Sequence, residues 1–167
     1  MTGLSLQRKG LQASQVAVLG FVLLAFAPLA AQAQVRGLTG LQSARIVIED
    51  LDEEARQCGV TRDTLDAAAR ITLSNSRLRV DNGDVGPYYY VQVTVLRSGT
   101  YCMAAINVAL TRPVWLRPGA QTQDVVLARV WSRGGVISGG EANFGRRVMM
   151  DVEGYTKQFL GSWLREN

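Results

Sequence analysis

An α+β domain is predicted, a mainly antiparallel sheet of four or five strands with two helices on one face, in the order β-α-β-β-β-β-α. Three stretches carry that expectation. Tyr88 to Leu110 alternates with period two about a short polar break, the pattern of a β-hairpin. Val148, Val152, Tyr155, Phe159 and Trp163 recur at steps of three and four near the end of the chain, which marks an amphipathic helix over Arg146–Leu164. Leu65, Ala68, Ala69, Thr72 and Leu73 make a second helical stripe, set between two brief β-type runs.

The first residues are Arg8 and Lys9, followed by the apolar run Val16–Leu29 and by Ala31-Gln32-Ala33. Positive segment, apolar segment and small-x-small site are the order of a cleaved signal peptide, with cleavage expected after Ala33. The apolar run is short for a span of roughly 20 residues, so a stable membrane span after processing is not expected. Residues 34–40 read as a flexible lead-in, and 41–167 as one α+β domain. Removing 33 residues from 167 leaves 134, the size of one core.

Ser43–Glu49 suits a first strand better than a helix over Leu41–Arg56, because Ile46-Val47-Ile48 is β-branched throughout. The acidic group Glu49, Asp50, Asp52, Glu53 and Glu54 can be read as a cation site. It fits the negatively charged first turn of a helix better, lacking the glycine and the alternation of a calcium loop. Gly59 ends that short helix, Thr61 caps the next, and Asn75 and Ser76 end it. Arg77–Val80 is a brief strand, and Asp81–Pro87 a loop.

In the hairpin, a two-residue loop at Ser98-Gly99 sets Arg97 opposite Thr100, then Val95 with Cys102, Val93 with Ala104, Val91 with Ile106 and Tyr89 with Val108. Those valines should meet the helices. Thr111-Arg112-Pro113 should interrupt the ladder, since proline has no amide to donate, with Val114–Leu116 resuming past a bend or bulge. Arg117–Ala120 is a turn. Asp124–Ser132 is the last strand, with Val126, Ala128 and Val130 on one face and Val125, Leu127, Arg129 and Trp131 on the other. Gly134, Gly135, Gly139 and Gly140 then read as a flexible connection without the lysine or spacing of a phosphate loop. Gly154 and Gly161, inside the last helix, are expected to mark close backbone packing.

Charge and residue chemistry narrow the function classes. The formal charge is +4, and Arg8 and Lys9 account for half of it, so a processed chain at +2 gives nucleic-acid binding little support. The chain contains no histidine, which removes histidine triads and, with two cysteines only, the ordinary zinc ligand set. Cys58 and Cys102 form an even pair in a chain expected to be exported, the setting of a disulfide. Carboxylate pairs such as Asp81 with Asp84, or Asp50 with Glu54, carry no cue that singles them out for acid–base work. The expectation is therefore no enzyme, no cofactor and no metal.

Binding is the better expectation. Tyr88, Tyr90, Gln92, Thr94, Tyr101, Met103 and Asn107 share the hairpin face opposite the valines, and aromatic rings among amides suit a protein or glycan partner. Trp115 or Trp131 would extend that face, whereas Arg146 and Arg147 read as a solvated helix start. In element order over Leu41–Leu164 the layout resembles small periplasmic modules of envelope machinery: the N-terminal domain of the Tol translocation protein, the lipopolysaccharide-transport lipoprotein and the curli-secretion lipoprotein. The resemblance assigns no functional residue. It implies a secreted or periplasmic interaction module of the bacterial cell envelope that holds a protein partner by its open sheet face or edge. The alternative is a binder of glycan or a small ligand, including an inhibitor of wall-degrading enzymes.

Overall fold

The computed structural model describes residues 37–83, 86–115 and 125–167. The expected signal segment 1–33, residues 34–36 of the lead-in, Asp84 and the turn Arg117–Ala120 lie outside the described residues. The elements are β1 Ser43–Ile48, α1 Glu53–Gln57, α2 Arg62–Ser74, β2 Arg79–Asp81, β3 Tyr88–Ser98, β4 Tyr101–Trp115, β5 Val125–Gly140 and α3 Phe144–Glu166. They build the expected α+β class around a five-stranded sheet of order β2-β1-β3-β4-β5. The sheet is mixed: β1 runs parallel to both β2 and β3, while β3–β4 and β4–β5 are antiparallel.

Between β1 and β2 the short helix that ends at Gly59 and the next one opened by Thr61 both form, each with its own cap. Asp52 accepts the amide of Ala55 at 2.7 Å, with Glu53 and Glu54 behind it at the positive end of α1. Gly59, at φ +75°, then turns the chain, and Thr61 accepts the amide of Thr64 to open α2. The α2 stripe Leu65, Ala68, Ala69, Thr72 and Leu73 is buried as its spacing demands. From the sheet, Tyr89, Val91, Val93 and Val95 of β3 and Cys102, Ala104, Ile106, Val108 and Leu110 of β4 meet α2 and α3 in one core. Within it the Tyr89 hydroxyl donates to Thr156 Oγ at 2.9 Å, and Thr156 donates to the carbonyl of Val152. Burial pushes the Tyr89 phenol well above its ordinary pKa.

Four features differ from the sequence expectation. The hairpin loop is Gly99-Thr100, so Val95 lies opposite Ala104, Val93 opposite Ile106, Val91 opposite Val108 and Tyr89 opposite Leu110. The reason is φ +59° at Gly99: the first loop residue takes the positive φ, and only glycine does so without strain. Moving the loop by one residue moves the pairing by two, so every side chain keeps its face.

β4 also runs unbroken through Pro113 to Trp115. Its pairing with β3 ends at Thr111, opposite Tyr88, so Pro113 sits where β4 has a neighbour on one side only and a missing amide can face the open side.

The glycines of 134–140 belong to β5, not to a connection. A Cβ at Gly134 would strike the carbonyl of Ile106, one at Gly135 would lie 2.5 Å from Tyr155 Oη, and one at Gly139 would strike the guanidinium of Arg147. Strand β5 therefore uses glycine where β4 and the side chains of α3 press onto it. Gly154 and Gly161 mark no such packing, since a Cβ at Gly154 meets nothing within 4 Å. Gly154→Ala is accordingly expected to stabilise the fold by about 0.5–1 kcal/mol, read as a rise in the urea midpoint at constant slope.

The fourth difference is at the start of the described chain. Gly37–Gly40 forms a turn that is tied down rather than loose: Leu38 is 1% exposed, and its amide donates to Glu166 Oε2 at 2.9 Å. Asn167 accepts the amide of Gly40, and Arg112 donates to the carbonyls of Gly37 and Thr39, both at 3.1 Å. These bonds hold the turn to the C-terminal end of α3 and to β4.

Candidate functional site

With the helices on one side, the pleat sends the alternate residues of five strands to the other, where no described element covers them. Cross-strand pairing arranges that face in rows. Arg45, Tyr88, Thr111 and Arg129 form the first, then Val47, Tyr90, Ala109 and Ser132, then Gln92, Asn107 and Gly134. Thr94, Ala105 and Val136 follow, then Leu96, Met103 and Ser138, and Ser98, Tyr101 and Gly140 at the hairpin tip. All seven residues singled out from the sequence thus lie on this one face.

The rows divide into two chemistries. Near the tip, Leu96 is 63% exposed, Val136 67%, Tyr101 51% and Met103 42%; Leu96 and Met103 share a row, with Val136 one row inward and Tyr101 one row outward. The Tyr101 hydroxyl donates to Ser138 Oγ at 3.1 Å, which directs its ring from β4 towards β5. At the other end Tyr88 and Tyr90 meet edge to face, with ring centroids 6.5 Å apart. The Tyr90 phenol is raised above its ordinary pKa by desolvation and then by the neighbouring Glu49 carboxylate, while Arg129 pulls the other way. Asn107 and Gln92 bridge the two halves at 3.5 Å.

Trp131 does not extend this face. The β4–β5 register shifts between Leu110 and Thr111, pairing Leu110 with Trp131 but Thr111 with Arg129, so Val130 is a bulged extra residue. Residues 130 and 131 both turn to the helix side, and Trp131 packs edge-on against Phe159 at 5.2 Å. The side chain of Trp115 lies outside the described set.

Cys58 and Cys102 are joined, with Cα atoms 6.2 Å apart, linking the end of α1 to the start of β4. Around that link the Arg97 amide donates to Glu54, and its guanidinium reaches Gln57 and Glu141. Three more acids of the cluster are occupied as well: Asp50 pairs with Arg62, Asp52 caps α1 and Glu53 pairs with Arg56. These assignments explain the acidic run as helix capping and tethering. Arg146 and Arg147 are exposed in the first turns of α3. A surface the sequence reading passed over is the groove of about 520 Å³ between α2 and α3, floored by Ala67, Ala68 and Met149 and bordered by Ile71, Lys157 and Leu160. Ile71, 64% exposed just outside a regular buried stripe, was its only signal.

No family model and no curated protein matches the chain. Among solved structures, a minor lipoprotein from Acinetobacter baumannii is similar at 11% identity and a TM-score of 0.40, over 72% of this chain and 91% of that one. A likeness so slight has no bearing on function. Among the described residues no helix is long and apolar enough to cross a membrane.

Proposed function

We propose that this protein is an exported, non-catalytic interaction module of the bacterial cell envelope, which docks a protein partner on its open sheet face. The observation that carries the reading is the exposed group Leu96, Tyr101, Met103 and Val136, set in three successive rows across β3, β4 and β5. Contiguous exposed apolar surface rimmed by polar residues, here Thr94, Gln92, Asn107 and Ser138, is what docking sites present. Export is supported by the order of charges and apolar residues ahead of Ala33 and by the joined cysteines, which persist in oxidising compartments. The non-catalytic part rests on residue chemistry: a chain without histidine, whose two thiols are spent in a bond, has neither the usual base nor a thiol nucleophile.

Photo-crosslinking residues placed in living cells at Thr94, Met103 or Val136 are expected to give one discrete adduct with an envelope protein, and the same residue at Ile71 none. Equal adducts from both sides, or none from the sheet, would count against the face. A second reading, glycan binding, is favoured by the Tyr88–Tyr90 pair flanked by Glu49 and Arg129. It requires thermal stabilisation of the purified protein by wall fragments, lost in Tyr88→Ala.

A further inference from the structure

The sheet ends on one side in β2, of 3 residues, and on the other in β5, 16 residues from Val125 to Gly140. An edge strand presents unpaired amides and carbonyls, and proteins ordinarily blunt it with charge, proline, bulges or a covering element. The first half of β5 is blunted here by the bulge at Val130 and by Arg129 and Arg133. From Gly134 to Gly140 the sequence is GGVISGG, with no charge and no proline. Helix α3 lies on the face of this stretch, through Tyr155 over Gly135 and Arg147 over Gly139. Among the described residues no backbone group outside β4 pairs with the ladder groups of this stretch.

Two cations border the open stretch, and the acid that follows it, Glu141, is paired with Arg97. On the helix side β5 presents Arg133, Gly135, Ile137 and Gly139 in succession, so a cation stands at each end: Arg133 itself, and Arg147 above Gly139. Six residues at about 3.3 Å each set the two cations about 20 Å apart along the edge. Neither forms a salt bridge among the described residues. A second copy of this chain supplies no free carboxylate: the two-fold that pairs the uncharged stretch with itself is centred on Ile137 and sets Arg133 opposite Glu141, which is already paired with Arg97.

We infer that the Gly134–Gly140 edge accepts an extended segment of a partner protein as a sixth strand, and that this segment carries two acidic residues six positions apart on one face with uncharged residues between. Main-chain hydrogen bonds supply the attachment, and the carboxylates against Arg133 and Arg147 fix its register. Uncharged partner side chains sit over Gly135 and Ile137 on the helix side and beside Val136 on the other. The inference rests on the docking-module reading and adds to it the edge and the chemistry of what pairs there.

The test uses the processed protein and a fluorescein-labelled peptide, Thr-Glu-Thr-Val-Thr-Val-Thr-Glu-Thr, followed by fluorescence anisotropy. Saturable binding is expected, weaker by about tenfold or more when both glutamates are lysine, and weakened on going from about 50 to about 200 mM salt. Arg133→Glu with Arg147→Glu is expected to reverse the preference between the two peptides. The peptide charge swap alone decides the matter if that variant fails to fold. No binding up to about 1 mM peptide, equal binding of both peptides, or a dimer of the free protein by analytical ultracentrifugation that Val136→Pro abolishes, each overturns the inference. Discrete cross-links from Thr94 and Met103 in the face of a failed peptide sink the edge and spare the docking module. Peptide binding without face cross-links does the reverse.

Discussion

Replacing Cys58 and Cys102 together by alanine is expected to lower the stability of the fold by about 4 kcal/mol and its Tm by about 15 °C. The bond closes a loop of 44 residues in sequence, and the lost loop-closure entropy of the unfolded chain sets that magnitude. Packing adds to it, since both cysteines are fully buried in the core. With the bond gone, α1 keeps only its Asp52 cap, its small buried face and the Arg97 contacts to Glu54 and Gln57, so a helix of five residues should open first. Calorimetry of the double variant, with reduced wild type as the comparison, measures the loss. A drop under about 1 kcal/mol would falsify the assignment of the link as a main source of stability.

Gly145→Ala is expected to cost about 3 kcal/mol, the high end of overpacking, although it adds a single methyl group. The added carbon would strike the carbonyl of Gly59 and lie 3.1 Å from the amide nitrogen of Val60. Those atoms are backbone, and Gly59 cannot retreat freely because its own φ of +75° forms the turn between α1 and α2. Gly139→Ala is the instructive contrast. Its new carbon meets the far end of the Arg147 side chain, which can swing away, so a cost of about 1 kcal/mol or less is expected. Urea unfolding of the two variants compares them directly, and similar losses at both positions would refute the distinction between a backbone neighbour and a mobile one.

Where a segment has a strong period, its place was readable in advance. Leu65, Ala68, Ala69, Thr72 and Leu73 are buried on α2 because a 3.6-residue repeat leaves one stripe to cover, and the Thr61 cap follows from local hydrogen bonding. Val91, Val93 and Val95 face inward whichever loop closes the hairpin, because alternation is a property of the strand itself. The seven residues of the open face inherit their common side from the same rule.

Other features depend on a neighbour that no local pattern names. Glycine carries no side chain and so no period, which is why 134–140 looks like a connection until β4 pairs with it and α3 presses Tyr155 and Arg147 onto it. Trp131 changes sides because one extra residue at Val130 is absorbed only when β5 is laid against β4. Residues 37–40, short and rich in glycine, are ordered by Glu166, Asn167 and Arg112, partners at least 73 residues away. The sequence by itself determined the fold class, the two helical stripes, the inward valines and the cysteine pair, since these follow from periodicity and composition within a few residues. Tertiary structure alone decided which strand is the open edge, which glycines touch backbone and where the bulge falls, because each is set by atoms distant along the chain.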